Sequence, residues 1–338
     1  MERLPEEGYL FVYIITEFVG SDNEFFKVIF EALLNSDAIN KLSRVSAQFR
    51  EVASSIMDRV KKVYNVELRE RGETDYYALL TELFASLKNN LDHIVIQIDE
   101  FPQTIQNIFK NEGRDIAEKF IQKNRALRHH EELAGKVQFI YTGSLSLYPI
   151  VEQVTNLTAV NDLRPVELQA LSIDEAGDFL LKLLQEENFE LDSPMINYVL
   201  DKIKWLIPFH IQLIAQEIIE VYEAEGVVID KPAVDKAFDQ ILHVRNRAQF
   251  EPYFVRLSTV FLEEELDCVM EILKYVALNN QITEAAFLNL GKKYRIQDIQ
   301  RIKNILEGDG YLYYNQKDEI YCYISPMLQL WCRKHICR

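Results

Sequence analysis

The chain is short of several things, and each shortage narrows what it can be. Among its 338 residues no apolar run approaches the ~20 needed to cross a bilayer. No signal-peptide pattern opens it, so a cytoplasmic protein with no membrane partner is expected. Cysteine is scarce: Cys268, Cys322, Cys332 and Cys337 all lie in the last quarter without regular disulfide spacing, and read as reduced thiols. Positive charge is scarce as well, with 37 Lys+Arg against 53 Asp+Glu and a net charge of −16. Residues 255–338 hold 11 of each sign, which leaves 26 Lys+Arg and 42 Asp+Glu for the rest, so the whole acidic excess precedes residue 255. An acidic body argues against bulk, non-specific binding to nucleic acid. The neutral C-terminal part leaves a local contact open. No Ser/His/Asp or Cys/His nucleophilic arrangement stands out, and no internal repeat or low-complexity linker is visible.

What is present is a globular composition, 48% apolar, long enough for two or three domains. "YLFVYII" (9–15), "HIVIQID" (93–99) and "VQFIYTG" (137–143) read as fully buried strands: short, β-branched and aromatic, without polar alternation. "VELQAL" (166–171) is a weaker fourth. Helical patterns intervene, one capped by Asp22 or Asn23 before "EFFKVIFEALL", others at about 46–63, 75–89 and 103–132 with a break near Gly113. Strands separated by helices imply a parallel sheet built from βαβ units. After Ser172 the pattern becomes purely helical. Ser172 and Glu175 form a capping box, and Lys231-Pro232 opens a later helix. The last segment has three helices, a hairpin with a polar Asn315–Asp318 turn, and a closing helix, the order of a winged helix-turn-helix.

The second strand ends on Asp99-Glu100. An apolar strand ending in two acids is a Walker B pattern, and its chemistry is specific. The strand fixes the acids at the carboxyl edge of a parallel sheet, where ligands bind. Asp99 would hold Mg²⁺, a hard ion that prefers oxygen. Glu100 would orient or deprotonate an attacking water. The alternative is a solvated acidic turn. The third strand ends on Thr142-Gly143-Ser144, where hydroxyls could sense a γ-phosphate or position water. The alternative there is turn chemistry, with Gly143 supplying an unusual backbone angle and Ser144 capping the next helix.

The chain resembles the P-loop ATPases of the AAA+/STAND group, and within it the archaeal-type ATPase family. The residues that carry the resemblance are "IVIQIDEF", "FIYTGSLSLYPIV", "RPVELQALSIDEAGDFL", "IPFHIQLIAQEI" and "YISPMLQLWCRKHI", in the family's order along nearly the whole chain. It implies an α/β core over 1–171, a helical lid over 172–250 and a winged helix over 251–338. ATP and Mg²⁺ would be the cofactors, and Asp99, Glu100, Thr142 and Ser144 would take the family's strand-end roles. The phosphate loop, G-x-x-x-x-G-K-[ST], departs from the family by its absence. Of the two Gly-Lys pairs, Gly135-Lys136 is followed by Val137 and Gly291-Lys292 by Lys293, so neither fits. The expectation is a core truncated ahead of "YLFVYII". Phosphates are cradled by backbone N–H groups and one Lys. Losing about four or five such bonds, at about 1.5–3 kcal/mol each, removes an amount comparable to the ~8 kcal/mol of micromolar affinity. Tight ATP binding and turnover are therefore not expected. An unpaired sheet edge beside the Thr142 strand would favour self-association or a protein partner.

Three further candidates complete the reading. Arg128, with Arg125, His129 and His130, ends the helix before the third strand. It is either an arginine finger toward a neighbouring subunit's phosphate or a solvated helix end; Arg164 invites the same pair of readings. Cys332, His335 and Cys337 offer zinc ligands or simple apolar packing. In the C-terminal segment, Arg301 and Lys303, with Lys292, Lys293 and Arg295, offer DNA contacts, while Tyr311, Tyr313 and Tyr314 suit a protein partner.

Overall fold

Three apolar runs become a parallel sheet because none can hide its backbone alone. β1 (Tyr9–Ile15), β2 (His93–Asp99) and β3 (Val137–Tyr141) lie in the order β1-β2-β3. Ile15 is level with Asp99, and Ile98 with Tyr141. The computed structural model describes residues 9–35, 54, 55, 58, 74–85, 93–133, 135–187, 189, 191–226, 228–261 and 263–337. Most of the helix expected over 46–63, and the end of that expected over 75–89, lie outside them. The chain divides into two compact units, residues 1–164 and 165–338.

In the first unit, the helices α1 (Asp22–Asn35), α2 (Tyr76–Ala85), α3 (Phe101–Glu112) and α4 (Arg114–Arg128) gather on one face of the sheet. Val12, Ile14, Ile94, Ile96 and Ile98 are buried there. Their register partners Phe139 and Tyr141 share that face. Phe101 of α3 meets Tyr141 at 4.4 Å, Phe84 of α2 meets Phe139 at 6.5 Å, and Phe101 lies 5.8 Å from Phe25 of α1. The one-sidedness has a cause. Strands are added in one direction, and right-handed crossovers in one direction put every helix on one side. The opposite face is half open: Val95 is buried, but Tyr13, Ile15 and Ile140 remain 45%, 57% and 44% exposed.

Local chemistry places these elements. Ser21, not Asp22 or Asn23, caps α1, its Oγ accepting from Glu24 N at 3.3 Å. Asn23 instead ties α1 to the start of α2, accepting from Tyr76 N and donating to Thr74 O. Gly113, at φ 87°, breaks α3 from α4 where a side chain would be strained. α5 (Leu147–Val154) closes the unit. The strand expected over 166–171 does not form. Residues 164–172 have no regular structure, and Val166 and Leu168 are 80% and 93% exposed. A strand needs a neighbouring strand to take its N–H and C=O groups, and among the described residues "VELQAL" has none beside it, only Leu171 N donating to Leu206 O at 2.9 Å.

The second unit is helical: α6 (Ile173–Glu186), α7 (Ser193–Ile203), α8 (Pro208–Glu225), α9 (Lys231–Ile241), α10 (Arg247–Val260), α11 (Glu263–Asn279), α12 (Glu284–Lys293) and α13 (Ile299–Gly308). Ser172 and Glu175 make the reciprocal bonds of the capping box that opens α6. Asp230 caps α9 ahead of Pro232. A small antiparallel sheet, β4 (Ile282–Thr283), β6 (Ile320–Tyr323) and β5 (Leu312–Asn315), follows in that spatial order. Its hairpin turn is held by Asn315 Nδ2 donating to Asp318 at 2.8 Å. α14 (Pro326–Trp331) ends the chain's regular helices, with Trp331 stacked on Phe250 at 4.8 Å.

His210 near the start of α8 is buried, and burial pushes its imidazole down to about 4. The unfolded chain takes up that proton near the ordinary value of ~6.5. The contribution is therefore complete above about pH 6.5 and is lost as pH falls toward 4. Unfolding titrations should show a decline of about 3 kcal/mol across that window that His210→Gln removes, whatever the variant's absolute stability. An unchanged slope would contradict the assignment.

Candidate functional site

The carboxyl ends of β2 and β3 bring the sequence candidates together. Asp99 is the last residue of β2, and Thr142 follows β3 directly level with it. Thr142 Oγ1 donates to Asp99 Oδ1 at 2.6 Å. The other oxygen, Oδ2, accepts from Tyr13 Oη at 2.7 Å, and Glu100 N donates to Oδ1 at 3.1 Å. The Thr142 hydroxyl, then that of Tyr13 and the Glu100 amide, hold the Asp99 carboxyl below its usual range against the opposing effect of partial burial. The same bond raises the Tyr13 phenol. Asp99 is therefore an anion at neutral pH, held by neutral donors.

Its backbone is pinned from below. Thr16 donates twice to Asp99 O, through N at 3.0 Å and Oγ1 at 2.8 Å. Thr104 Oγ1 lies 2.7 Å from Thr16 Oγ1 and 2.8 Å from Thr16 O, and both threonines are fully buried. The chain then turns abruptly. Glu100 adopts a left-handed conformation, φ 59° and ψ 32°, where a glycine would be easier. That turn swings its carboxylate to Ser144, whose N and Oγ donate to Glu100 Oε2 at 3.1 and 3.0 Å. A strained backbone at an acid that directly follows a strand end is a common sign of a functional site.

These contacts revise the turn-chemistry alternative. Ser144 binds Glu100; the N-cap of α5 is Ser146. Gly143 is not among the residues with a positive φ. It is required because a Cβ there would come 2.6 Å from Pro102 Cδ. Sequence reasoning missed Tyr13, Thr16 and Thr104. Tyr13 sits inside an unbroken apolar run, and only the parallel register puts it on Asp99's face.

Arg128 does not join this cluster. Its side chain is 6% exposed, with Nε 2.7 Å from Asp162 Oδ2 and Nη1 2.6 Å from Asn124 Oδ1. It also donates to Ala159 O and lies over the Tyr141 ring. It is thus neither a finger presented outward nor a solvated helix end. With Arg125, which donates to Thr158 O and to Asn161 Oδ1, it straps the 158–162 segment to α4. Desolvation beside this strap pushes the Tyr141 phenol up to about 12. Arg164 is exposed. The zinc reading also fails. Among the described residues no three or more His, Cys, Asp or Glu are placed to hold a metal, and His335 Nε2 donates to Leu242 O at 2.9 Å. The cysteines are free thiols.

Three of the five cations proposed as DNA contacts are already engaged, while Lys292 and Arg295 are exposed. Arg301 pairs with Glu265 at 2.9 Å and also donates to Val260 O. Lys303 is buried against Glu284, and Lys293 pairs with Glu271. The exposed face of α13 carries Gln300, Asn304 and Glu307, which are neutral or acidic.

Replacing Thr142 with Val should raise the Asp99 titration midpoint, followed by carboxylate NMR, by more than Tyr13→Phe does. The reverse order would contradict the assigned hierarchy. Gly143→Ala should cost about 1–3 kcal/mol of stability by overpacking against Pro102, read by denaturant unfolding.

No protein-family model matches the chain, and no curated protein matches it. Among solved structures it is similar to a Walker-type ATPase of Pyrococcus abyssi, with a TM-score of 0.54 at 13% identity over 96% of this chain and 84% of that one. It is also similar, too loosely to carry an argument, to RuvB of Thermotoga maritima, with a TM-score of 0.36 at 11% identity over 73% and 71%. At such identities the likeness speaks for the fold alone: this chain shares its overall fold with that Walker-type ATPase.

Proposed function

We propose that the chain is an ATP-binding switch protein of the AAA+/STAND type whose carboxylate half-site is built and whose phosphate-cradling half is not encoded in these residues. The observation that carries this reading is the cluster at the ends of β2 and β3: an ionised Asp99 held by Thr142 and Tyr13, and Glu100 turned onto Ser144. Asp99 and Glu100 are read as a Walker B pair. The donor set fits Mg²⁺: carboxylate and hydroxyl oxygens with no cation bonded to Asp99 among the described residues. When bound, Mg²⁺ would supply charge neutralisation to a triphosphate. Asp99 would hold it, and Glu100 would orient the water, its carboxylate fixed by the Ser144 N–H and hydroxyl. Residues 172–250 are read as a lid and 251–338 as a winged helix, whose positions nucleotide would set; membership of the archaeal-type ATPase family is the finer form of the same reading.

Phosphate recognition is where the chain falls short. The sequence contains no G-x-x-x-x-G-K-[ST] segment, and acids alone repel a triphosphate. Calorimetry with Mg-ATP should therefore show no saturation below about 100 µM, and phosphate release should stay at background in both wild type and Glu100→Gln. Steady-state turnover on the order of 1 s⁻¹ that Glu100→Gln abolishes would overturn the inactivity.

A second reading, a protein-interaction role for residues 251–338, is favoured over DNA by the ion pairs of Arg301 and Lys303. Any duplex binding should then show a log K against log salt slope of small magnitude, about −2 or weaker. A steep slope that Arg301→Gln flattens would restore the DNA reading.

A further inference from the structure

The segment "CRKHIC" (332–337) holds a pair of thiols that the nucleotide reading does not use. α14 does not stop at Trp331 but runs on into a single π turn, Cys332–Ile336. The turn closes with Cys337 N donating to Cys332 O at 3.0 Å. That spacing matters. Five residues of ordinary α-helix set two Cα atoms roughly 8.7 Å apart, beyond the ~7 Å that a disulfide can bridge. The wider π turn stacks position i+5 over position i, and it brings Cys332 Sγ to 4.0 Å from Cys337 Sγ. Turns of this kind are rare and occur often at functional sites.

The turn is anchored from outside. His335 Nε2 donates to Leu242 O at 2.9 Å, and its ring lies 4.0 Å from that of Trp331. Arg333 Nε donates to Ala277 O, near the end of α11, at 2.8 Å. The two thiols differ in access: Cys332 is fully buried and Cys337 half-buried. Burial pushes the Cys332 thiol up to about 12, so it stays protonated and is not the first to meet an oxidant. Cys337 Sγ is held only by a weak bond to Lys274 O at 3.8 Å. Among the described residues no third His, Cys, Asp or Glu joins the two sulfurs to hold a metal. One reachable sulfur beside one enclosed sulfur, with no further ligand, is the arrangement of a dithiol that closes on itself.

We propose that Cys332 and Cys337 are a redox-modification site, oxidised by a peroxide to an intramolecular disulfide. The Cys337 thiolate attacks one peroxide oxygen: an S–O bond forms, the O–O bond breaks, and the departing hydroxide takes up the proton that Cys337 released. Cys332 Sγ then attacks Cys337 Sγ: the S–S bond forms, the S–O bond breaks, and the Cys332 proton leaves with the hydroxide as water. Two thiols and one hydrogen peroxide give one disulfide and two waters, with two electrons passing from sulfur to oxygen. The sulfurs close from 4.0 Å to about 2.05 Å. The bond locks the turn that carries Arg333 and His335, so oxidation tightens their hold on Ala277 O and Leu242 O.

The test uses the full chain, reduced, dilute and given an equal amount of hydrogen peroxide. Remaining thiols are alkylated and the chain is cut with trypsin, which cleaves after Arg333 and Lys334 and so separates Cys332 from Cys337. The disulfide should appear as peptide 318–333 joined to peptide 335–338, parted by a reductant. The link should persist in Cys322→Ser, which removes the other cysteine of the first peptide, and Cys268 should remain open to alkylation after unfolding. In Cys332→Ala the link should vanish, and the Cys337 sulfenic acid, trapped with a 1,3-diketone, should rise about tenfold or more over wild type. Amide hydrogen exchange at Cys337 should slow about tenfold or more on oxidation. A wild-type chain in which Cys337 accumulates as sulfenic or sulfinic acid without joining Cys332 overturns the proposal. So does a link that needs Cys322, or one that joins two chains and disappears on dilution. Unchanged exchange at Cys337 in the linked chain overturns the locking of the turn.

Discussion

Handedness is the constraint on which the first unit depends. Three parallel strands laid down in one direction force their connecting helices to one side. That side collects the aromatic cluster of Phe25, Phe84, Phe101, Phe120, Phe139 and Tyr141, and it seals the even positions of β2 completely. The other side keeps Tyr13, Ile15 and Ile140 partly in solvent. Asp99 lies on that open side, because it pairs in register with Ile15 and its alternation matches Tyr13. Site and open face are thus two consequences of one topology.

The rim is rigid where it matters. Asp99 is fixed by its backbone through the buried Thr16–Thr104 pair and by its carboxylate through Thr142 and Tyr13. Four residues from three segments agree on one position for one carboxylate. Glu100 is placed differently, by a left-handed turn and the Ser144 donors, with Gly143 pressed against Pro102 so that the two strand ends close together. Such preorganisation suits a carboxylate that holds a metal beside another that orients water. It is a costly arrangement for a solvated acidic turn.

Much of this was legible in the sequence where the signal was local. The positions of the three strands, the break at Gly113, the Ser172–Glu175 box and the hairpin turn at Asn315–Asp318 each follow from residues near one another in the chain, but the strands are buried on one face and not, as expected, on both. What was not legible depended on register or partners. Tyr13 looks like any core aromatic until β1 is set beside β2. "VELQAL" has strand chemistry but no strand to pair with among the described residues, so residues 166–170 stay exposed. Arg128 carries the composition of an exposed helix end, yet Asp162, thirty-four positions away, draws it into a strap. Arg301 and Lys303 likewise read as available cations until Glu265 and Glu284 are brought against them.

The central claim is that an ionised Asp99, held by neutral donors at the open rim, is a site for a hard divalent cation. Paramagnetic broadening by Mn²⁺, added to about millimolar concentration to the full chain, tests it most directly. The account predicts broadening centred on the amides of Asp99, Glu100, Thr142 and Gly143, displaced by Mg²⁺ and absent in Asp99→Asn. Broadening centred elsewhere, on the Glu263–Glu265 run for example, or persisting in Asp99→Asn, would contradict it.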